Sequence, residues 1–113
     1  MKYLCLIYAE EKLLDEIDDG DCLACGQAIA VSGRMIAAEP LHPVRTATTL
    51  RVREGKVSIT DGPFAETKEQ LTGFYLVEAA DLDEALQIAA KIPPARVGSI
   101  EVRPVRQLAP KNS

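Results

Sequence analysis

Residues 48–60 read TTLRVREGKVSIT, two runs of alternating apolar and polar side chains on either side of Glu54-Gly55. Alternation with a period of two is typical of a β-strand whose two faces differ. A two-residue connection that contains glycine is typical of a β-hairpin, because glycine adopts the positive φ that such turns require. The stretch therefore predicts a hairpin with strands at 48–53 and 56–60, whose polar side faces water or a cleft.

Four other segments on either side of this hairpin are apolar enough to form strands. Residues 2–8 carry apolar side chains at both even and odd positions, which indicates a central strand covered at least partly on both faces. The strand that follows them ends at Pro40 and Pro43, because proline cannot donate to a sheet ladder. The predicted strands are 2–8, 34–41, 74–79 and 98–105.

Two helices are predicted between these strands. The apolar run Cys22–Val31 follows Asp19 and Asp21, either of which could cap it, and Gly33 stands where a C′ glycine ends a helix. Asp81 precedes the second helix, with Glu84 in capping-box position. The apolar stripe of the second helix is predicted at Leu82, Ala85, Leu86 and Ala89, and Pro93-Pro94 ends it.

The resulting order, β-α-β-hairpin-β-α-β, predicts an α+β fold of the ferredoxin-like (split βαβ) type, with an antiparallel sheet and an inserted β-hairpin. Helices cover one face of such a sheet. We expect the apolar side chains of Tyr3, Cys5, Ile7, Tyr75 and Val77 to supply both faces. A second copy packing sheet to sheet is the simplest cover for the other face, so we expect a homodimer.

Length, charge and cysteine content limit the classes of function that this chain can have. The 113 residues fit one domain, predicted at 1–106 with a flexible tail at 107–113. A net charge of −4 argues against nucleic acid and against an anionic membrane surface as partners. Three cysteines, an odd number, together with the lack of a signal-peptide pattern, predict a cytoplasmic protein with free thiols.

The loop after the hairpin is the best candidate for a site. It places Asp61 beside a Gly62-Pro63 turn and Phe64, followed by Glu66 and Lys68. A carboxylate near an ammonium group and a phenol could perform acid–base chemistry, and Tyr75 or Tyr8 could supply the phenol. The alternative is structural: Asp61 would bond backbone N–H groups of its own turn while Glu66 and Lys68 stay solvated.

Three further features carry weaker signals. His42 is the sole histidine and could act as a general base or stand at a surface or an interface. Arg51, with Arg45 and Arg53, could bind an anionic ligand or pair with nearby glutamates. Cys22-x-x-Cys25 resembles half of a redox or zinc motif, but without a second pair it is typical of small apolar residues on a helix. We expect no cofactor and no metal.

Residues 60–69, TDGPFAETKE, carry a family resemblance. They resemble the signature of the DGPF proteins, a branch of the YCII-related superfamily. Similar stretches extend over most of the chain: the opening strand 1–8, the strand 46–52, QLTGFY at 70–75, the helix 81–92 and the closing strand 98–104. The resemblance implies a dimeric α/β-barrel of ferredoxin-like protomers. YCII relatives have been suggested as enzymes because of a His–Asp pair in a cleft, but the first-strand region here holds no histidine, so that pair does not transfer.

Two functions follow as hypotheses. The first is an enzyme or small-molecule binder with an unknown ligand at the DGPF loop, where Asp61 handles a proton or orients the ligand. The second, raised by the resemblance alone, is a non-catalytic dimeric accessory module associated with an extracytoplasmic-function sigma factor. A purely structural dimer is the third alternative.

Overall fold

Six strands and three helices make up the computed structural model of the chain, which describes residues 1–111. Short 3₁₀ turns at Val44–Thr46 and Pro93–Arg96 complete the connections. The elements, in chain order, are β1 (Lys2–Ala9), α1 (Glu11–Leu14), α2 (Asp19–Val31), β2 (Met35–Pro40), β3 (Thr48–Arg53), β4 (Lys56–Asp61), β5 (Gln70–Glu78), α3 (Leu82–Ala89) and β6 (Gly98–Pro104).

The main sheet has four antiparallel strands in the order β2-β5-β1-β6, and β3 pairs with β4 alone. β1 lies between β5 and β6, as its apolar pattern predicts. Because α2 connects β1 to β2 and α3 connects β5 to β6, the topology is the split βαβ arrangement with the hairpin inserted between β2 and β5. The α+β, ferredoxin-like fold expected from the sequence is confirmed.

The helices cover one face of this sheet, here called the helix face. Burial alternates along β1, so Tyr3, Cys5 and Ile7 are buried and their neighbours are not. The same alternation buries Tyr75 and Val77 on β5. Side chains of successive strand residues point to opposite faces, so these five belong to one side of the sheet. They pack with Ile29 of α2, with Ala85, Ile88 and Ala89 of α3, and with Ile92.

The opposite face, here called the open face, is uncovered within residues 1–111. Leu4 and Leu6 on β1 pair with Leu76 and Phe74 on β5, and all four side chains are half-buried. The expectation that Tyr3, Cys5, Ile7, Tyr75 and Val77 supply both faces is therefore wrong. Strict alternation sends all five to the helix face and leaves three leucines and one phenylalanine for the open face.

The hairpin forms as predicted. Glu54 and Gly55 have φ of +52° and +76°, the conformation of a two-residue turn that favours the twist of paired strands. β4 extends one residue beyond the predicted end, because Asp61 pairs with Thr48. Every residue from Leu50 to Asp61 is exposed, so both faces of the hairpin, apolar as well as polar, lie open.

The helices differ from prediction in detail. α2 begins earlier than predicted, and its cap is Asp18, whose Oδ1 accepts a hydrogen bond from Gly20 N at 2.9 Å. Asp18 has the extended backbone that an N-cap requires, whereas Asp19 and Asp21 already lie inside the helix. The short α1 has no predicted counterpart.

In α3, Asp81 Oδ1 accepts from Glu84 N at 2.9 Å, as the predicted cap requires. The buried stripe, however, is Ala85, Ile88 and Ala89, and Leu82 and Leu86 are 48% and 47% exposed. The helix is rotated so that the two alanines lie close to the sheet and Ile88 fills the space beside them.

Residues 105–111 follow β6 without helix or strand and are exposed. The predicted tail begins within this stretch, at residue 107, and its last two residues lie outside the part of the chain that the structure describes. Within that part, no helix is long and apolar enough to cross a membrane.

Candidate functional site

A groove of about 670 Å³ lies between α2 and the helix face, and we call it the α2 groove. Its walls come from α2, the segment after α1, β2 and β5, and they are mainly apolar. A volume of this size and character is typical of small-molecule sites. Residues that define it include Ile17, Cys22, Gly26, Met35, Gly73 and Tyr75.

The groove exists because α2 packs loosely on the sheet. Ile29 is the sole fully buried residue of this 13-residue helix, and Leu23 and Val31 are 75% and 83% exposed. Gly26 lies over Tyr75, and a Cβ atom at position 26 would lie 3.9 Å from the Tyr75 hydroxyl. The absence of a side chain there leaves the phenol facing open space.

Tyr75 is the central polar group of the α2 groove. Burial, followed by the nearby thiols of Cys25 and Cys22, raises the pKa of Tyr75 to about 12. The phenol is therefore neutral at physiological pH and offers a hydrogen-bond donor at the end of an apolar wall. This arrangement suits a ligand that presents an oxygen acceptor to the phenol.

The two cysteines of α2 behave as thiols and not as thiolates. Burial is the main cause that raises the pKa of Cys22 and of Cys25, and Asp19 adds to the effect on Cys22. Cys22 lines the groove, whereas Cys25 Sγ donates to the Lys91 carbonyl oxygen at 3.3 Å. All three cysteines are free, and residues 1–111 contain no group of three or more metal-ligating side chains.

The DGPF loop lies elsewhere, at the base of the hairpin. Gly62 N donates to the Ala47 carbonyl at 2.7 Å, and Thr49 Oγ1 donates to the Gly62 carbonyl at 2.8 Å. Gly62 has a φ of +107°, which other residues rarely adopt. The Asp61 carboxylate is exposed and makes no hydrogen bond among residues 1–111, so the backbone of Gly62 holds this turn.

The other residues predicted for this site are spread around the loop. Pro63 is half-buried, and Phe64 is 80% exposed. Glu66 is exposed, and Lys68 Nζ lies 3.7 Å from Glu10 Oε1 at the end of β1. Neither the α2 groove nor the second cavity described below is lined by residues 61–68.

The remaining candidates are exposed. His42 lies in the loop after β2, and Arg51 is on the polar face of the hairpin with Arg53. Within residues 1–111, no ion pair involves Arg45, Arg51 or Arg53. The structure thus places Tyr75 in the α2 groove and the Asp61–Phe64 loop at the hairpin base, and no described hydrogen bond joins the two.

A second cavity of about 400 Å³ lies between α2 and α3. Its rim carries Lys91 and the ion pair between Arg34 and Glu84. Arg34 and Lys91 are the basic residues of this cavity. Because Arg34 is paired with Glu84, its positive charge is largely neutralised and the cavity is a weaker anion site.

The residues of α2 that line the groove were missed by sequence reasoning. In the sequence, Gly26 interrupts the apolar run Cys22–Val31 and by itself indicates only a weaker helix. Gly26 contributes to the groove because it leaves space over Tyr75. That space exists only because α2 lies against β5 at this point. A glycine inside an otherwise apolar helical run was the one signal available.

Comparison with known proteins agrees with this architecture. The YCII-related domain model matches residues 1–109. An uncharacterised protein of Rhizobium meliloti (strain 1021) is 40% identical over 119 aligned residues, which cover 97% of this chain and 96% of the relative. Among solved structures, 5-chloro-2-hydroxyhydroquinone dehydrochlorinase (TftG) from Burkholderia phenoliruptrix AC1100, in complex with 2,5-dihydroxybenzoquinone, is similar with a TM-score of 0.56.

The match to the dehydrochlorinase covers 94% of each chain at 14% identity, so it supports the fold alone. The family model and the Rhizobium relative both extend over nearly the whole chain. The chain therefore belongs to the YCII-related domain family.

Proposed function

We propose that this protein binds a small aromatic or quinone-like molecule in the α2 groove, as an enzyme or as a binding protein. The observation that carries the proposal is the neutral, buried phenol of Tyr75 facing an apolar groove of about 670 Å³. A phenol with a raised pKa donates a hydrogen bond to a carbonyl or hydroxyl oxygen and does not act as a base near neutral pH.

The ligand class has one further support. The structurally similar dehydrochlorinase holds 2,5-dihydroxybenzoquinone, a small cyclic molecule with several oxygens. A molecule of that size fits a groove of this volume, and the apolar walls would contact its ring while Tyr75 bonds one of its oxygens. Cys22 would lie beside the ring as a neutral thiol.

The DGPF loop is a second candidate site within the same proposal. Asp61, Phe64 and Arg51 are exposed at or near the hairpin base and have free polar or apolar surface. In a homodimer this loop would stand where a second subunit can complete a cleft, with Gly62, Pro63, Glu66 and Lys68 around it. Asp61 would orient a ligand there, and His42, exposed in the loop after β2, is a further candidate.

We further propose that the protein is a cytoplasmic homodimer of the DGPF branch. Its open face carries Leu4, Leu6, Phe74 and Leu76 without cover in the described chain, and its three thiols are free, as in a reducing compartment. The accessory module acting with a sigma factor is the alternative, and it would use the same apolar surface for a different protein.

The two sites are distinguished by titrating hydroquinone, and separately 2,5-dihydroxybenzoquinone, into ¹⁵N-labelled protein. The amide signals of Gly26 and Gly73, which line the α2 groove, should shift, while that of Gly62 in the DGPF loop stays in place. A shift confined to Gly62 would move the site to the DGPF loop. No shift at any of the three would end the proposal for this ligand class and favour the accessory module.

A pair of α2 variants makes the test specific. Gly26→Leu places a side chain next to the Tyr75 hydroxyl and should abolish the shift at Gly73. Ala24→Leu adds the same side chain at an exposed position of α2 that does not line the groove, and it should bind as the wild type does.

A further inference from the structure

The β3–β4 hairpin has an apolar face that no other part of the described chain covers. Leu50 pairs with Ile59, and Val52 pairs with Val57, so these four side chains lie on one face of the ribbon. They are 53–65% exposed. The opposite face carries Thr49, Arg51 and Arg53 with Lys56, Ser58 and Thr60.

Such a ribbon is not stable by itself. A two-stranded hairpin is marginal in water and needs a third strand or a packed face. β3 and β4 form a separate sheet, and the ladder between them continues past Thr48 and Asp61, where Gly62 N donates to the Ala47 carbonyl at 2.7 Å. The four apolar side chains therefore require a cover from outside the described chain.

A second copy of the chain fits this requirement better than a foreign partner. The open face of the same chain offers a second uncovered apolar surface, formed by Leu4, Leu6, Phe74 and Leu76. Two copies related by a twofold axis would present each such surface twice, and a face-to-face dimer leaves both hairpins beside the other copy. One interface would then cover both of these surfaces.

Charge favours the same pairing. The hairpin segment 48–61 carries three of the 13 basic residues and two of the 17 acidic ones, a net +1. The rest of the chain, with 10 basic and 15 acidic residues, carries −5. On the open face, Glu39 lies opposite Phe74, Glu101 opposite Leu6 and Arg103 opposite Leu4, and none of the three charged residues forms an ion pair within residues 1–111. The net charges of the hairpin segment and of the rest of a second copy therefore attract each other, with Arg51, Arg53 and Lys56 on the polar face of the hairpin, beside the apolar contact.

We infer that the hairpin is a dimerisation arm, whose face of Leu50, Val52, Val57 and Ile59 packs on the second copy beside the joined open faces. The inference rests on the homodimer proposed above and specifies an additional part of its interface. Because β4 runs directly into Asp61, the arm also brings the DGPF loop of one copy to the boundary with the other.

The test compares two variants one residue apart on β4. Ile59→Asp puts a charge into the apolar face, and Ser58→Asp puts the same charge on the polar face. Light scattering coupled to size exclusion should show the wild type and Ser58→Asp as dimers. Ile59→Asp should raise the dissociation constant of the dimer by about 30-fold or more, as expected for a charge in the core of an interface.

Ile59→Asp could weaken the dimer by unfolding the hairpin and not by disrupting a contact with the second copy. A cross-linking experiment distinguishes these two causes. Benzoylphenylalanine at position 59, in a mixture of ¹⁴N- and ¹⁵N-labelled protein, should give mixed-isotope cross-linked peptides, and the same group at position 58 should give few. Cross-links within one chain alone, or equal behaviour of the two aspartate variants, would overturn the arm.

The failure of the arm is separable from the failure of the dimer. A wild type that is monomeric refutes both. A dimer that withstands Ile59→Asp but is dissociated by Leu6→Asp on the open face would keep the homodimer and reject the arm.

Discussion

Tyr75 shows how one residue acquires its properties from what surrounds it. Its position on β5 alternates with half-buried neighbours and sends the ring to the helix face, where it is 8% exposed. Gly26 then withholds a side chain above the hydroxyl. The result is a phenol that is shielded from bulk water and yet borders an open groove.

This shielding makes stability depend on pH in a predictable window. The pKa of Tyr75 is raised from 10.0 to about 12 in the folded state, mainly by burial, so its contribution to stability is complete below pH 10 and is lost as the pH rises towards 12. This contribution is measured by urea unfolding of the wild type and of Tyr75→Phe between pH 8 and about pH 12. The difference in unfolding free energy between the two proteins should be constant up to pH 10. Above pH 10, the unfolding free energy of the wild type should fall relative to that of Tyr75→Phe.

Parallel curves over the whole range would contradict a shielded phenol. Tyr75→Phe serves as the reference because it keeps the ring and removes only the titrating group, so the other groups cancel in the comparison.

Gly98 illustrates a different residue-scale requirement, close approach of backbones. A Cβ atom there would lie 2.0 Å from the Tyr8 carbonyl oxygen and 2.9 Å from Ala9 Cβ. β6 pairs with β1 at this point, Ala9 opposite Gly98, and any larger residue would push the strands apart.

At the scale of elements, α2 and α3 are held to the sheet very differently. α3 has a reciprocal cap, in which Glu84 N donates to Asp81 Oδ1 and Ala80 N donates to Glu84 Oε1, each at 2.9 Å, and it buries three residues. α2 buries one and carries two internal glycines. α2 is therefore the element with the most to gain from a better helix-forming residue.

Gly26→Ala should stabilise the protein by about 0.5–1 kcal/mol, because alanine lowers the backbone entropy of the unfolded chain and its Cβ meets the Tyr75 hydroxyl at an ordinary contact distance of 3.9 Å. Gly33→Ala, at the C′ position with a φ of +80°, should instead destabilise it by roughly 1 kcal/mol. Urea midpoints of the two variants check both signs. A loss of stability in Gly26→Ala would show that α2 lies closer to β5 than described.

The hairpin is the element that local sequence determines most completely. Its strands, its Glu54-Gly55 turn and its register follow from residues 48–60 without help from the rest of the chain. What lies against its apolar face is not a local property, and no pattern within those residues identifies it.

At the scale of the whole molecule, the chain is a thin slab. Its Cα extents are 46 × 45 × 18 Å, and its radius of gyration of 16.3 Å exceeds the value of about 13 Å expected for a compact chain of this length. One layer of helices on one layer of sheet, with the hairpin projecting from it, accounts for this shape.

If a second copy covers the slab, stability must depend on protein concentration. The melting temperature should rise by several degrees between about 1 and about 100 µM, because association stabilises the folded state by mass action. Leu6→Asp, which places a charge on the open face, should melt lower and at the same temperature throughout. A wild-type melting temperature that does not change with concentration would contradict the dimer.

The order of the strands, the hairpin turn, the α3 cap and the family could be predicted from the sequence, because they depend on local periodicity, turn chemistry and a signature at residues 60–69. The other features depend on the tertiary structure. It sent Tyr3, Cys5, Ile7, Tyr75 and Val77 to one face, separated Tyr75 from the Asp61 loop, and opened the α2 groove over Gly26. These features depend on which elements lie against each other across many residues of chain, and a local pattern does not encode such pairings.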